Sequence, residues 1–104
     1  MIIFLYDSHG KAIAYRRTAD DRWLWDTHGH WLGWFPWGDN DAYSKDGKYL
    51  GTIIDNRLLK RISQPYRGYP GYPGYPGYAG YPGYGGYAGY YSVPSGYRDL
   101  TLGG

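Results

Sequence analysis

The chain has 104 residues, room for one small domain. Its 11 Lys and Arg against 9 Asp, with no Glu, leave a net charge of +2 and no basic run, so a nucleic-acid partner is not expected. There is no Cys, which excludes a disulfide framework and a thiolate metal centre, and no apolar stretch approaches the ~18 residues of a membrane span.

Aromatic residues are unevenly placed. All five Trp fall between Trp23 and Trp37, and most of the fifteen Tyr lie from Tyr69 onward. This divides the chain into a β domain at residues 1–64, a low-complexity tail at 65–92 and a C-terminal segment at 93–104. The opening run, Ile2-Ile3-Phe4-Leu5-Tyr6, is short and has no basic segment before it. It does not read as a secretory leader, and a cytoplasmic setting is the default expectation.

That run opens the first of three segments that align without a gap: Tyr6-Asp7-Ser8-His9-Gly10-Lys11-Ala12-Ile13-Ala14, Trp25-Asp26-Thr27-His28-Gly29-His30-Trp31-Leu32-Gly33 and Tyr43-Ser44-Lys45-Asp46-Gly47-Lys48-Tyr49-Leu50-Gly51. Each reads as a β-hairpin. Asp or Ser at the first turn position accepts hydrogen bonds from amides ahead of it. The turn glycines Gly10, Gly29 and Gly47 supply the positive φ that such a turn needs. Alternation along the flanking strands puts Lys11, Ile13 and Tyr15 on one face and Ala12 and Ala14 on the other. Ile13, Leu32 and Leu50 are expected to form a core layer. Ala14, Gly33 and Gly51 are small where neighbouring strands must come close. Turns at about nine-residue intervals predict an antiparallel meander of about seven strands. Asp55-Asn56 makes a tight turn in an incomplete fourth unit, and Tyr97-Arg98-Asp99-Leu100-Thr101-Leu102 is expected to return as a closing strand.

The repeat of aromatic, Asp or Ser, two residues, Gly, Lys or His, one residue, Ile or Leu, then a small residue resembles the four-fold β-flower family over about residues 2–62. It resembles the Tyr-Asp repeats of large toxin shells less closely. The first resemblance implies an all-β fold of repeated hairpins around a pseudo-four-fold axis. It implies no active site, because the family has no established function. The fourth unit departs from the pattern by lacking the turn glycine.

From Gly68 to Gly89 glycine recurs at every third residue, each followed by Tyr. Pro and Gly exclude both a helix and a ladder there. Three conformations remain: a disordered linker, a collagen-like triple helix, and polyproline II. The last is expected. It would stack the Tyr along one edge of a rod roughly 70 Å long, at about 3.1 Å per residue. Tyr69, Tyr72, Tyr75, Tyr78, Tyr81, Tyr84, Tyr87 and Tyr90 are then the residues of tail contact, covering the Trp-rich face in cis or from a neighbouring subunit.

Reactive residue types do not form a catalytic set. His9 and His28 align with Asp46 in the turn. His30 aligns with Lys11 and Lys48, and the His28-x-His30 pair has no third ligand in sight, so neither metal nor cofactor is expected. Asp20, Asp21, Asp39 and Asp41 are read as turn residues. Arg57, Lys60, Arg61 and Arg67 are read as a solvated basic face. Trp23, Trp25, Trp31, Trp34, Phe35 and Trp37 are either core or an aromatic platform. The functional expectation is a non-enzymatic structural or interaction module whose partner is itself, as a homo-oligomer, or another protein. The alternative is a module that binds carbohydrate or another polymer on its Trp face.

Overall fold

The computed structural model describes residues 1–100, which form strands, turns and extended chain without a helix. Accordingly, none of the described residues lies in a helix long and apolar enough to cross a membrane. Eight strands follow in chain order around one sheet: β1 (Ile3–Tyr6), β2 (Ala12–Arg16), β3 (Trp23–Asp26), β4 (Trp31–Trp34), β5 (Asp41–Tyr43), β6 (Tyr49–Ile54), β7 (Arg57–Arg61) and β8 (Tyr97–Asp99). Consecutive strands are antiparallel, and the meander closes where Tyr6 of β1 meets Arg57 of β7. That closing pair is parallel. A chain that reverses at every strand sends its first and seventh strands the same way. The result is the expected meander of seven strands, closed as a barrel, with the returning strand β8 laid on β7.

The register explains why the hairpins flare. Tyr6 faces Ala12, but Leu5 faces Ala14, so Ile13 is an extra residue. The same step makes Leu32 and Leu50 extra in the next two hairpins. A bulge at this point bends the strand and increases its twist. It also removes Ile13, Leu32 and Leu50 from the centre. They pack half-buried against a core made of Leu5, Ala14, Leu24, Phe35, Ala42 and Leu58. Strict alternation is broken in consequence, and Ala14 and Tyr15 are both buried. The small column does what its size suggested: a Cβ on Gly33 would stand 2.4 Å from the Tyr43 carbonyl oxygen of the neighbouring hairpin.

β7 and β8 are the fourth hairpin. Leu59 faces Asp99 and Arg61 faces Tyr97. In this register Arg98 takes the place of Lys11, His30 and Lys48, and Leu100 that of Ile13, Leu32 and Leu50. Leu100 packs against the same core. The missing turn is replaced by residues 62–96, an insertion at the hairpin tip. The expected closing strand therefore forms on β7, and its Thr101 and Leu102 lie outside the described residues.

Asp99 ties this returning strand to the first hairpin. Its carboxylate accepts from the Ser8 backbone N–H at 2.8 Å and from the Ser8 hydroxyl. Ser8 is buried. Ser8→Ala keeps the backbone bond and removes the hydroxyl from a charged acceptor. It is expected to cost about 1.5 kcal/mol, read as a lower urea midpoint with an unchanged slope.

Candidate functional site

The three short hairpin tips are built alike. The Asp7 carboxylate accepts from the N–H groups of His9 and Lys11, each at 2.9 Å. Asp26 accepts from His28 and His30 at 2.9 and 3.0 Å. The Ser44 hydroxyl accepts from Asp46 and Lys48 at 3.3 and 3.2 Å. The glycines that end these turns have φ of 89°, 89° and 83°. His9, His28 and Asp46 thus share one backbone setting, in which the amide donates to the side chain two residues before it. Among the described residues no group of three His, Cys, Asp or Glu could hold a metal ion.

The inserted segment forms a belt over these tips, passing the third, then the second, then the first. Ala79 N–H donates to the Gly29 carbonyl at 2.9 Å, and Ala88 N–H to the Gly10 carbonyl at 3.0 Å. These alanines are nine residues apart, three triplets per hairpin. From Pro70 to Ala88 the third place of each triplet is proline except at Ala79, Gly85 and Ala88. Each exception has a physical cause. Proline has no N–H, so alanine stands where a tip requires a donor. At Gly85 a Cβ would lie 2.7 Å from the Phe4 ring and 2.9 Å from Ala12 Cβ. Belt carbonyls are held in turn: Gly80 O accepts from the Tyr15 hydroxyl at 2.8 Å, and Gly85 O from the Tyr6 hydroxyl at 2.6 Å.

The belt is extended, but it is not the straight rod expected. All eight triplet glycines from Gly68 to Gly89 have φ between 75° and 95°, whereas polyproline II needs about −75°. The segment curves gradually and stays within a molecule whose longest dimension is 35 Å. The tyrosines were expected to lie on the Trp face. Instead the backbone makes the contact, and the eight rings from Tyr69 to Tyr90 are 60–87% exposed. Ring contacts are made at edges: Tyr72 and Tyr75 flank Trp31 at 6.2 and 5.8 Å, and Tyr78 meets His30 at 5.2 Å.

The six candidate platform residues divide evenly. Trp25, Trp34 and Phe35 are buried and form no open aromatic platform. Arg16 lies over Phe35, and Arg22 over both Trp23 and Trp34. Trp23, Trp31 and Trp37 reach solvent. Trp23 and Trp31 meet edge-on at 5.9 Å, and Arg67 covers one face of Trp37 at 4.5 Å.

The charged residues also depart from expectation. Arg57, Arg61 and Arg67 are not a free basic face. Arg57 is buried and donates to Asp7 O, Ala88 O and Gly89 O, pinning the far end of the belt. Arg61 and Arg67 pair with Asp41 at 2.8 and 2.9 Å and anchor the near end. Asp41 is no turn residue: it opens β5 and is buried. Burial would raise its pKa, but the Thr52 hydroxyl, Arg61 and Gln64 hold it below the ordinary value. Asp21 is likewise buried in the loop before β3. It accepts from the Arg17 side chain and backbone and from the Trp25 indole at 3.2 Å.

Sequence reasoning found the tips and the tail but not their pairing. The signal was present in the two alanines, which break the proline rule at a nine-residue interval. A family model described as 4-fold beta flower protein matches residues 3–83. No curated protein and no solved structure matches the chain.

Proposed function

The chain belongs to the 4-fold beta flower family, and from that premise we propose that this small β domain is a non-enzymatic interaction module that associates with copies of itself through the outward tyrosines of its belt. One observation carries the reading. The belt uses its backbone to hold the barrel and leaves its rings in solvent, each 60–87% exposed from Tyr69 to Tyr90. Tyrosine offers a broad apolar ring with a polar edge and little rotamer entropy to lose, which suits it to interfaces. A net charge of only +2 opposes association weakly. Replacing the eight tyrosines by serine spares every belt hydrogen bond named above, since those use main-chain atoms of the belt or the Arg67 side chain. In sedimentation velocity the native chain is expected to gain mass with concentration, and the variant to remain a monomer. Equal masses across the range would sink the reading.

A second reading rests on Trp31. Its ring, with Tyr72 and Tyr75, borders a groove of about 380 Å³ that also contains Ser44 and Asp46. Stacking faces beside hydroxyl and carboxylate groups suit a sugar ring. If the module binds polysaccharide, Trp fluorescence changes on its addition and the change is lost in Trp31→Ala.

A further inference from the structure

The belt contains the pentapeptide Gly-Tyr-Ala-Gly-Tyr twice, at residues 77–81 and 86–90. Each copy lies on a hairpin tip in the same way. Its alanine N–H donates to the turn glycine carbonyl, at 2.9 Å for Gly29 and 3.0 Å for Gly10. The glycine after it packs directly on the turn glycine: built Cβ atoms on Gly29 and Gly10 would meet Gly80 O at 2.1 Å and Gly89 N at 2.5 Å. That glycine's carbonyl accepts a side-chain donor from the barrel, the Tyr15 hydroxyl at 2.8 Å for Gly80 and the Arg57 guanidinium at 2.8 Å for Gly89. Two copies of one ligand therefore occupy two copies of one site.

The third tip, Ser44–Gly47, has the same turn but a different occupant. Nine residues before Ala79 stands Pro70, within Gly-Tyr-Pro-Gly-Tyr. Proline cannot donate to the Gly47 carbonyl. The belt stands off on rings here, with the Tyr69 ring 2.9 Å and the Pro70 ring 3.2 Å from a Cβ built on Gly47. A second observation concerns the residue that the repeat sets in the place of Tyr15. Trp34 follows Gly33 as Tyr15 follows Ala14, so its indole N–H is the counterpart of the Tyr15 hydroxyl. Trp34 Nε1 is buried with no hydrogen-bond partner among the described residues. The third site thus lacks both bonds that the other two make.

We propose that the hairpin tips are peptide-binding sites that read Gly-Tyr-Ala-Gly-Tyr through its backbone, and that the third tip takes this segment from a second copy of the chain. The incoming alanine N–H would satisfy Gly47 O, and the following glycine carbonyl would accept from Trp34 Nε1. A proline in place of that alanine removes the first bond and places a ring against the turn. The inference goes beyond association through the tyrosine rings, because it uses the main chain of the belt, and the test separates the two.

The full chain, labelled with nitrogen-15, is titrated with the peptide acetyl-Gly-Tyr-Ala-Gly-Tyr-amide and, separately, with the same peptide carrying Pro for Ala. Both peptides bear the same rings, so a response driven by tyrosine contacts is equal for the two. The alanine peptide is expected to shift the Gly47 and Lys48 amides and the Trp34 indole N–H saturably, binding at least five-fold tighter than the proline peptide, the worth of about one hydrogen bond. Pro70→Ala puts a third Gly-Tyr-Ala-Gly-Tyr on the third tip in cis. It is expected to move the Trp34 indole resonance without peptide and to weaken the alanine peptide by at least five-fold. Equal binding of the two peptides, shifts that avoid Gly47 and Trp34, or an unchanged response in Pro70→Ala would each overturn the proposal.

Discussion

Gly29→Ala is expected to lower stability by about 3–4 kcal/mol, while Gly74→Ala costs about 1 kcal/mol, although the two glycines have φ of 89° and 87°. Both substitutions place an L residue in the left-handed half of backbone space, and that strain is common to them. The surroundings differ. A Cβ on Gly74 meets nothing within 4 Å, whereas a Cβ on Gly29 would stand 2.1 Å from Gly80 O and 2.4 Å from Gly80 C. These are backbone atoms and cannot swing aside as a side chain could. The belt must lift, and with it go the Ala79–Gly29 and Tyr15–Gly80 hydrogen bonds. Losing two such bonds, with Tyr15 left buried, accounts for a further 2–3 kcal/mol or so. For a domain of this size that gap is about 8–20 °C in Tm. Thermal and urea unfolding of the two variants measure it, and equal losses would show that the belt does not bear on the tip.

The second large effect is acid sensitivity through Asp21. Burial would push its carboxyl up, but the Arg17 side chain, the N–H groups of Arg17 and Trp23 and the Trp25 indole outweigh burial and bring it from 3.8 to about 2. The folded-state value is depressed, so the stabilisation is complete above the unfolded value near 4 and is lost as pH falls toward 2. Its size is roughly 2 kcal/mol, from the width of that shift. Asp21→Asn is therefore expected to cost about 2 kcal/mol at pH 7 and only a small part of that at pH 2, where about half of the native carboxyl is itself protonated. Asp41 is depressed in the same direction, so the difference between the curves of the native chain and the Asp21→Asn variant isolates Asp21. A difference that stays constant from pH 7 to pH 2 would contradict the assignment.

The parts of this molecule that were legible in the sequence are those written in local chemistry. Asp7, Asp26 and Ser44 announce turns because their side chains bond amides two and four residues ahead. The small column at Ala14, Gly33 and Gly51 announced close approach for an equally simple steric reason. What could not be read depends on register between distant segments. Ile13, Leu32 and Leu50 look like core by alternation, and only the cross-strand pairing shows each to be an extra residue. The fourth hairpin was legible in part: the return of Tyr97–Asp99 as a strand was expected, but its pairing with β7 was not, because residues 62–96 separate the two. Its second strand nevertheless repeats the pattern of a basic residue at Arg98 and an aliphatic one at Leu100. Asp41 and Arg57 resemble any exposed polar residue until the partners that bury them are known. Trp25 and Trp23 share a strand face, yet Trp25 is buried beneath Arg17 while Trp23 reaches solvent.

The nine-residue step of the belt sets a condition on how such a chain can change length. Tandem tracts gain or lose whole units, and here the obvious unit is the triplet. A Gly-Tyr-Pro triplet inserted between Gly80 and Gly85 would keep the glycine period but carry Ala88 past Gly10 and put a proline where Gly85 packs against Phe4 and Ala12. Growth stays in phase when nine residues of belt accompany one further hairpin of 18 or 19 residues, the spacings that separate Gly10, Gly29 and Gly47. Tract and barrel are geared one to two, so a stretch that looks free to drift is as tightly metered as the strands beneath it.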